Sequence, residues 1–103
     1  VYDYKCRFHH GDEVKFWGGV GGLTIPMNKA YGEWDKTQKA DFSFCGHFHQ
    51  FMQAWPRWIC NGSLIGYNRF AESIKAASQD PVQTFCVIDK DRGMTRALPI
   101  YCR

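Results

Sequence analysis

The run DFSFC at residues 41–45 stops abruptly at Gly46 and His47, and that pattern recurs along the chain. Residues 4–8 (YKCRF) end at His9, His10 and Gly11, and residues 57–60 (RWIC) end at Asn61, Gly62 and Ser63. Such short runs, closed by glycine, asparagine and histidine, have the length of strands and are too brief for helices. A chain punctuated this way folds around a sheet, with a loop opening wherever a run closes. One stretch breaks the pattern. Met27, Ala30, Tyr31 and Trp34 share one face at helical spacing, with Thr24 placed as cap and Pro26 in the first turn. This predicts a main helix over residues 25–38, although Gly32 weakens it.

The remaining segments add β structure. Residues 51–55 and 57–60 read as two short strands separated by Pro56, and residues 82–89 and 94–101 flank a hairpin turn with Gly93 late in the loop. A second, shorter helix is expected after Asn68. Residues 17–23 (WGGVGGL) are too rich in glycine for a helix and read as an ordered loop. The expected class is α/β, mostly mixed β-sheet with one main helix.

With 103 residues the chain is one domain at most, and its 17% aromatic content is well above what a disordered segment carries. The formal charge of +3 permits a phosphate or nucleic-acid partner without arguing for one. Five cysteines form no C-x-x-C pair, and Cys45, Cys60 and Cys86 sit inside apolar runs, where a free thiol behaves as a small hydrophobe. That usage fits a reducing compartment, and no run approaches the ~20 apolar residues of a membrane span. A cytoplasmic protein with no membrane partner is the expectation. The first residues already read as strand, as in a piece of a longer domain.

All four histidines fall in two clusters, His9-His10 and His47-x-His49, each closing an apolar run. Strand ends of an α/β sheet border the crevice where ligands gather, and neutral imidazole suits Zn, Mn or Fe. In an extended segment His47 and His49 would share a face. Asn61-Gly62-Ser63 closes a third run a dozen residues further on.

In this order, His10-Gly11, Gly46-His47-Phe48-His49 and then Asn61-Gly62-Ser63, the chain resembles the C-terminal half of the calcineurin-like metallophosphoesterases. The resemblance spans nearly the whole length and includes the closing hairpin. It implies half of a four-layer α/β/β/α sandwich, read here as a single partial domain over residues 1–103. It implies a hydrolase of phosphomonoesters or phosphodiesters that uses two divalent ions (Mn, Fe or Zn) to activate water. Carried over by motif, His10 and His47 would bind one ion and His49 the other, with His9 the competing candidate for the first position. The family's D-x-H, G-D-x-x-[DR] and G-N-H-[DE] motifs are absent, so no catalytic acid or substrate-binding residue is assigned. The missing N-terminal half, or a second copy of the chain, is the implied partner. Two rival readings are a DNA nuclease of the same superfamily and a non-catalytic metal-binding or interaction fragment.

Other features have plainer readings. Trp55, Trp58, Arg57 and Arg69 offer stacking and phosphate contacts for nucleic acid, but packed tryptophans and solvated arginines are the favoured account. Asp12 and Glu13 are candidates to orient His10 and are read first as exposed loop acids. Tyr67 and Asn68 lie beside the third motif with no role assigned.

Overall fold

The computed structural model describes residues 1–14, 22–54, 57–65 and 80–102. The order of elements is β1 (Cys6–Phe8), α1 (Thr24–Asp35), β2 (Phe42–Cys45), β3 (Met52–Ala54), β4 (Trp58–Cys60), β5 (Val82–Asp89) and β6 (Gly93–Tyr101). The molecule is a mixed α/β domain with one helix among the described residues, in keeping with the run lengths and helical spacing. The expected helix after Asn68, most of the glycine-rich loop, Trp55, Tyr67 and Arg69 lie outside the described residues. No helix among the described residues is long and apolar enough to cross a membrane.

Four strands form a sheet in the order β1-β2-β4-β3. β1, β2 and β4 are parallel, and β3 turns back antiparallel on β4 at the edge. The parallel β1–β2 pair needs a long crossover, which α1 supplies. The register pairs Phe8 with Phe44 and Cys45 with Cys60, so three consecutive parallel strands finish along one edge of the sheet. Their continuations carry the three motifs.

Alternation along the strands divides the core in two. On one face Cys45, Trp58 and Cys60 pack with Met27 and Tyr31 of α1 and with Val14, Leu23 and Phe48. Ala30 and Trp34 complete the predicted helical face. On the other face Phe42 and Ile59 meet Met94, with Cys86, Ile88 and Ala97 of the β5–β6 hairpin against them. The layers are therefore helix, four-stranded sheet and two-stranded hairpin. The hairpin's far side exposes Phe85, Val87, Leu98 and Ile100, and Phe8 at the sheet's edge strand is 75% exposed.

The helix differs from expectation at both ends. Leu23, buried and already helical in its backbone angles, occupies the cap position, and no side chain caps the helix. Thr24 is the first helical residue instead. At the far end the chain tightens, with the Thr37 and Gln38 N–H groups both donating to the Trp34 carbonyl. Regular helix thus stops at Asp35, and a turn completes the expected span.

That turn is held from across the sheet. Arg7 donates to Asp35 Oδ1 at 2.9 Å, to Ser43 Oγ at 3.2 Å and to the Gln38 carbonyl. Its guanidinium lies 5.7 Å from the Trp34 ring centroid, within cation–π range. Burial alone would raise the Asp35 carboxyl. The Arg7 hydrogen bond, the Ala40 N–H and the charges of Arg7 and Arg57 outweigh it and hold the group below the ordinary carboxylate value. A depressed carboxyl stabilises the fold above its ordinary value and loses that contribution as pH falls through the folded one. Asp35→Asn is expected to cost about 1–3 kcal/mol at neutral pH. The penalty should shrink below pH ~4, near the ordinary carboxylate value, in denaturant titrations at several pH values. A penalty independent of pH would contradict the assignment.

Candidate metal centre

The edge where β1, β2 and β4 finish is stitched beyond the strands by backbone hydrogen bonds. His9 N–H donates to the Phe44 carbonyl, Gly46 N–H to the His10 carbonyl at 3.0 Å, and Asn61 N–H to the Cys45 carbonyl at 2.7 Å. These bonds lay the loops after β1, β2 and β4 side by side. Within them His47 Nδ1 stands 3.2 Å from His10 Nε2. The two rings meet edge to face with centroids 4.9 Å apart. His10 is exposed and His47 half-buried.

Gly11 makes this approach possible. Its φ is +108°, and a Cβ there would lie 3.1 Å from the Gly46 carbonyl oxygen and 3.3 Å from the His47 Cβ. The backbone angle is strained for any other residue, and the approach is tight enough that a side chain would push the neighbouring loop. Gly11→Ala is therefore expected to destabilise the domain by about 1–3 kcal/mol. In a domain this small the thermal midpoint should fall by roughly 4–8 °C per kcal/mol. An unchanged midpoint would show that the two loops are not held at this distance.

His47 and His49 do not lie on an extended segment. β2 ends at Cys45, and the two histidines have φ of +67° and +56°. The expectation that they share a strand face is corrected accordingly. The reason lies between them. Phe48 is buried in the helix-side core, and its N–H closes a tight turn onto the Gly46 carbonyl at 2.7 Å. Two non-glycine residues in the left-handed region are costly, and such strain concentrates at functional sites. His49 is half-buried, with its Nδ1 inside the protein.

The charge state of His47 suits a ligand. Partial burial, then the nearby His10, lowers its pKa, with Asp12 opposing and His49 adding to the effect. The imidazole is therefore neutral at neutral pH. Asp12 and Glu13 are exposed, as their plainer reading has it. His9 faces elsewhere: its Nε2 is 2.8 Å from the Tyr31 hydroxyl, and its ring packs edge-on against Trp34 at 4.9 Å. Burial, then Arg7, lowers the His9 pKa as well. The histidine brought to His47 is thus His10, and His9 is engaged by α1.

The third motif has a structural task that its spacing did not suggest. The Asn61 side-chain amide donates to Gln83 Oε1 at 2.9 Å, while Asn61 Oδ1 accepts from the Thr84 N–H and hydroxyl, both at 2.8 Å. At Gly62 a Cβ would lie 2.7 Å from the Val82 carbonyl oxygen. The Asn61-Gly62-Ser63 turn therefore docks β5 against the sheet at the same edge as the histidines.

The His10 and His47 nitrogens are 3.2 Å apart and hydrogen-bond to each other. That separation is also close to the roughly 3.3 Å between two nitrogens that share a tetrahedral ion at ~2.0–2.1 Å each. Among the described residues no group of three or more His, Cys, Asp or Glu side chains is arranged to hold an ion. The fit is to part of a ligand set. Comparison with protein-family models, with curated proteins and with solved structures gave no match for this chain.

Proposed function

We propose that the chain carries part of a two-metal phosphoesterase centre acting on phosphomonoesters or phosphodiesters, within the C-terminal half of a four-layer α/β/β/α sandwich. The observation that carries this reading is the meeting of His10 and His47 at the common edge of three parallel strands. In this reading His10 and His47 hold one ion, and His49 serves a second. Bound ions of the Mn, Fe or Zn class would supply positive charge to clamp phosphate oxygens and to activate water. The chain's own part is to orient. Gly11 lets the two loops close, Phe48 anchors the turn, and the half-buried His47 keeps its lone pair at neutral pH. The helix, sheet and hairpin layers agree with half of such a sandwich. The exposed Phe8 and the outer hairpin face are surfaces that the remaining layers, or a second copy, would cover.

For the chain by itself, the second reading is a metal-binding fragment without turnover, since the resemblance supplies only three of the ligands. A bridging carboxylate, which holds two cations ~3.5–4 Å apart, is not assigned to any residue here. Binding of inorganic phosphate in the presence of Mn²⁺ or Zn²⁺ tests the proposal directly. Phosphate is expected to bind only with metal present, and His47→Ala should abolish the dependence. Hydrolysis of p-nitrophenyl phosphate and its bis ester should stay at background. Phosphate binding indifferent to metal would contradict the phosphoesterase reading, and robust hydrolysis would overturn the claim of an incomplete site.

A further inference from the structure

Cys45 and Cys60 are the last residues of β2 and β4, and the parallel register sets them directly opposite each other. Paired positions on adjacent parallel strands project to the same face, and both side chains are buried in the helix-side core. Cys60 and the Tyr31 side chain are the close neighbours of the Cys45 thiol in that core. The Cys60 thiol also donates to the Gly46 carbonyl at 3.6 Å. Neither sulfur has a part in the metal reading above, and both are free thiols.

We propose that Cys45 and Cys60 are a site of reversible oxidation, closing to a disulfide that ties β2 to β4 beneath the His47 and Asn61 turns. Adjacent strands lie ~4.7–4.9 Å apart, within the ~4.4–6.8 Å range of Cα separations that a disulfide spans. Paired Cβ atoms of parallel strands are about as far apart as the strands, beyond the usual ~3.5–4.5 Å. The bond therefore forms under strain and is readily reduced, as a reversible modification requires. The oxidant is a hydroperoxide. One sulfur attacks the peroxide, the O–O bond breaks, and one water or alcohol leaves a sulfenic acid behind. The second sulfur attacks the first, the S–O bond breaks, and a water leaves. Two thiols lose two electrons and two protons, and the peroxide takes them up. Closure removes the Cys60 S–H donor from the Gly46 carbonyl, which links the bond to the position of His47.

The test is peptide mapping of the chain after hydrogen peroxide treatment, alkylation of free thiols and tryptic digestion. A Cys102→Ser background removes links between molecules through that exposed cysteine. The expected product joins peptide 40–57 to peptide 58–69, and dithiothreitol should return both to free thiols. Cys45→Ser and Cys60→Ser should each abolish it, but the mapping stands without them should either fail to fold. Recovery of Cys45 and Cys60 unlinked, as thiols or as separate sulfinic acids, would overturn the proposal.

Discussion

Trp58→Ala is expected to abolish cooperative folding at ordinary temperature. Trp58 is 1% exposed at the centre of the helix-side core, where it meets Tyr31 and spans β4 and α1. Its indole N–H donates to Asn28 Oδ1 at 2.9 Å, so truncation removes a large apolar body and also a tie between β4 and α1. Removing a buried tryptophan costs about 3–5 kcal/mol. Domains are stable by about 5–15 kcal/mol in total, and a chain this short, with a modest core, belongs near the lower end. Near-ultraviolet circular dichroism and thermal melting should show no sigmoidal transition for Trp58→Ala, and a lowered but cooperative one for Trp58→Phe. A midpoint for Trp58→Ala within a few degrees of the parent would mean that α1 is not fastened to the sheet through this residue.

Much of this core was legible because the sequence marks its elements at both ends. The strand runs are bounded by glycine, histidine or asparagine, and Met27 and Tyr31 repeat at helical spacing into one buried face. The order of strands was not legible. Placing β4 between β2 and β3 depends on pairings between distant residues, which short-range pattern does not encode. Arg7 and Asp35 stand 28 residues apart in no motif, so their pairing could not be foreseen.

The site divides the same way. The ordered motifs pointed to His10 and His47, and these two rings meet just beyond the strand ends. The left-handed turn at His47 and His49 was missed because histidine's modest preference for that conformation is a weak signal, and the buried Phe48 between them looked like ordinary alternation. The Cys45–Cys60 contact was missed too, although a signal existed. Each cysteine directly precedes a turn motif, so equivalent positions on neighbouring parallel strands could have been paired.

The second large effect concerns the histidines. In the proposed centre His10 and His47 would each supply one nitrogen to the same ion, from loops whose close approach is eased by the lack of a side chain at Gly11. A two-nitrogen site depends on both, so loss of either imidazole should cost an order of magnitude or more in ion affinity, comparable with the ~10–100-fold effect of removing a supporting group around a metal. Because both side chains lie at the surface end of the sheet, the alanine variants should stay folded. His9→Gln is the control, since His9 is bonded to Tyr31 and should leave affinity unchanged.

The most direct measurement is a Zn²⁺ titration followed by the imidazole proton resonances of all four histidines. The account predicts that His10 and His47 shift together at one stoichiometric point, and that His10→Ala or His47→Ala removes the shift from the remaining partner. It also predicts a lower metal content for the His47→Ala/His49→Ala double variant. Unchanged metal content in that variant, or a Zn²⁺ response in which His10 and His47 take no part, would contradict the metal centre on which the functional reading rests.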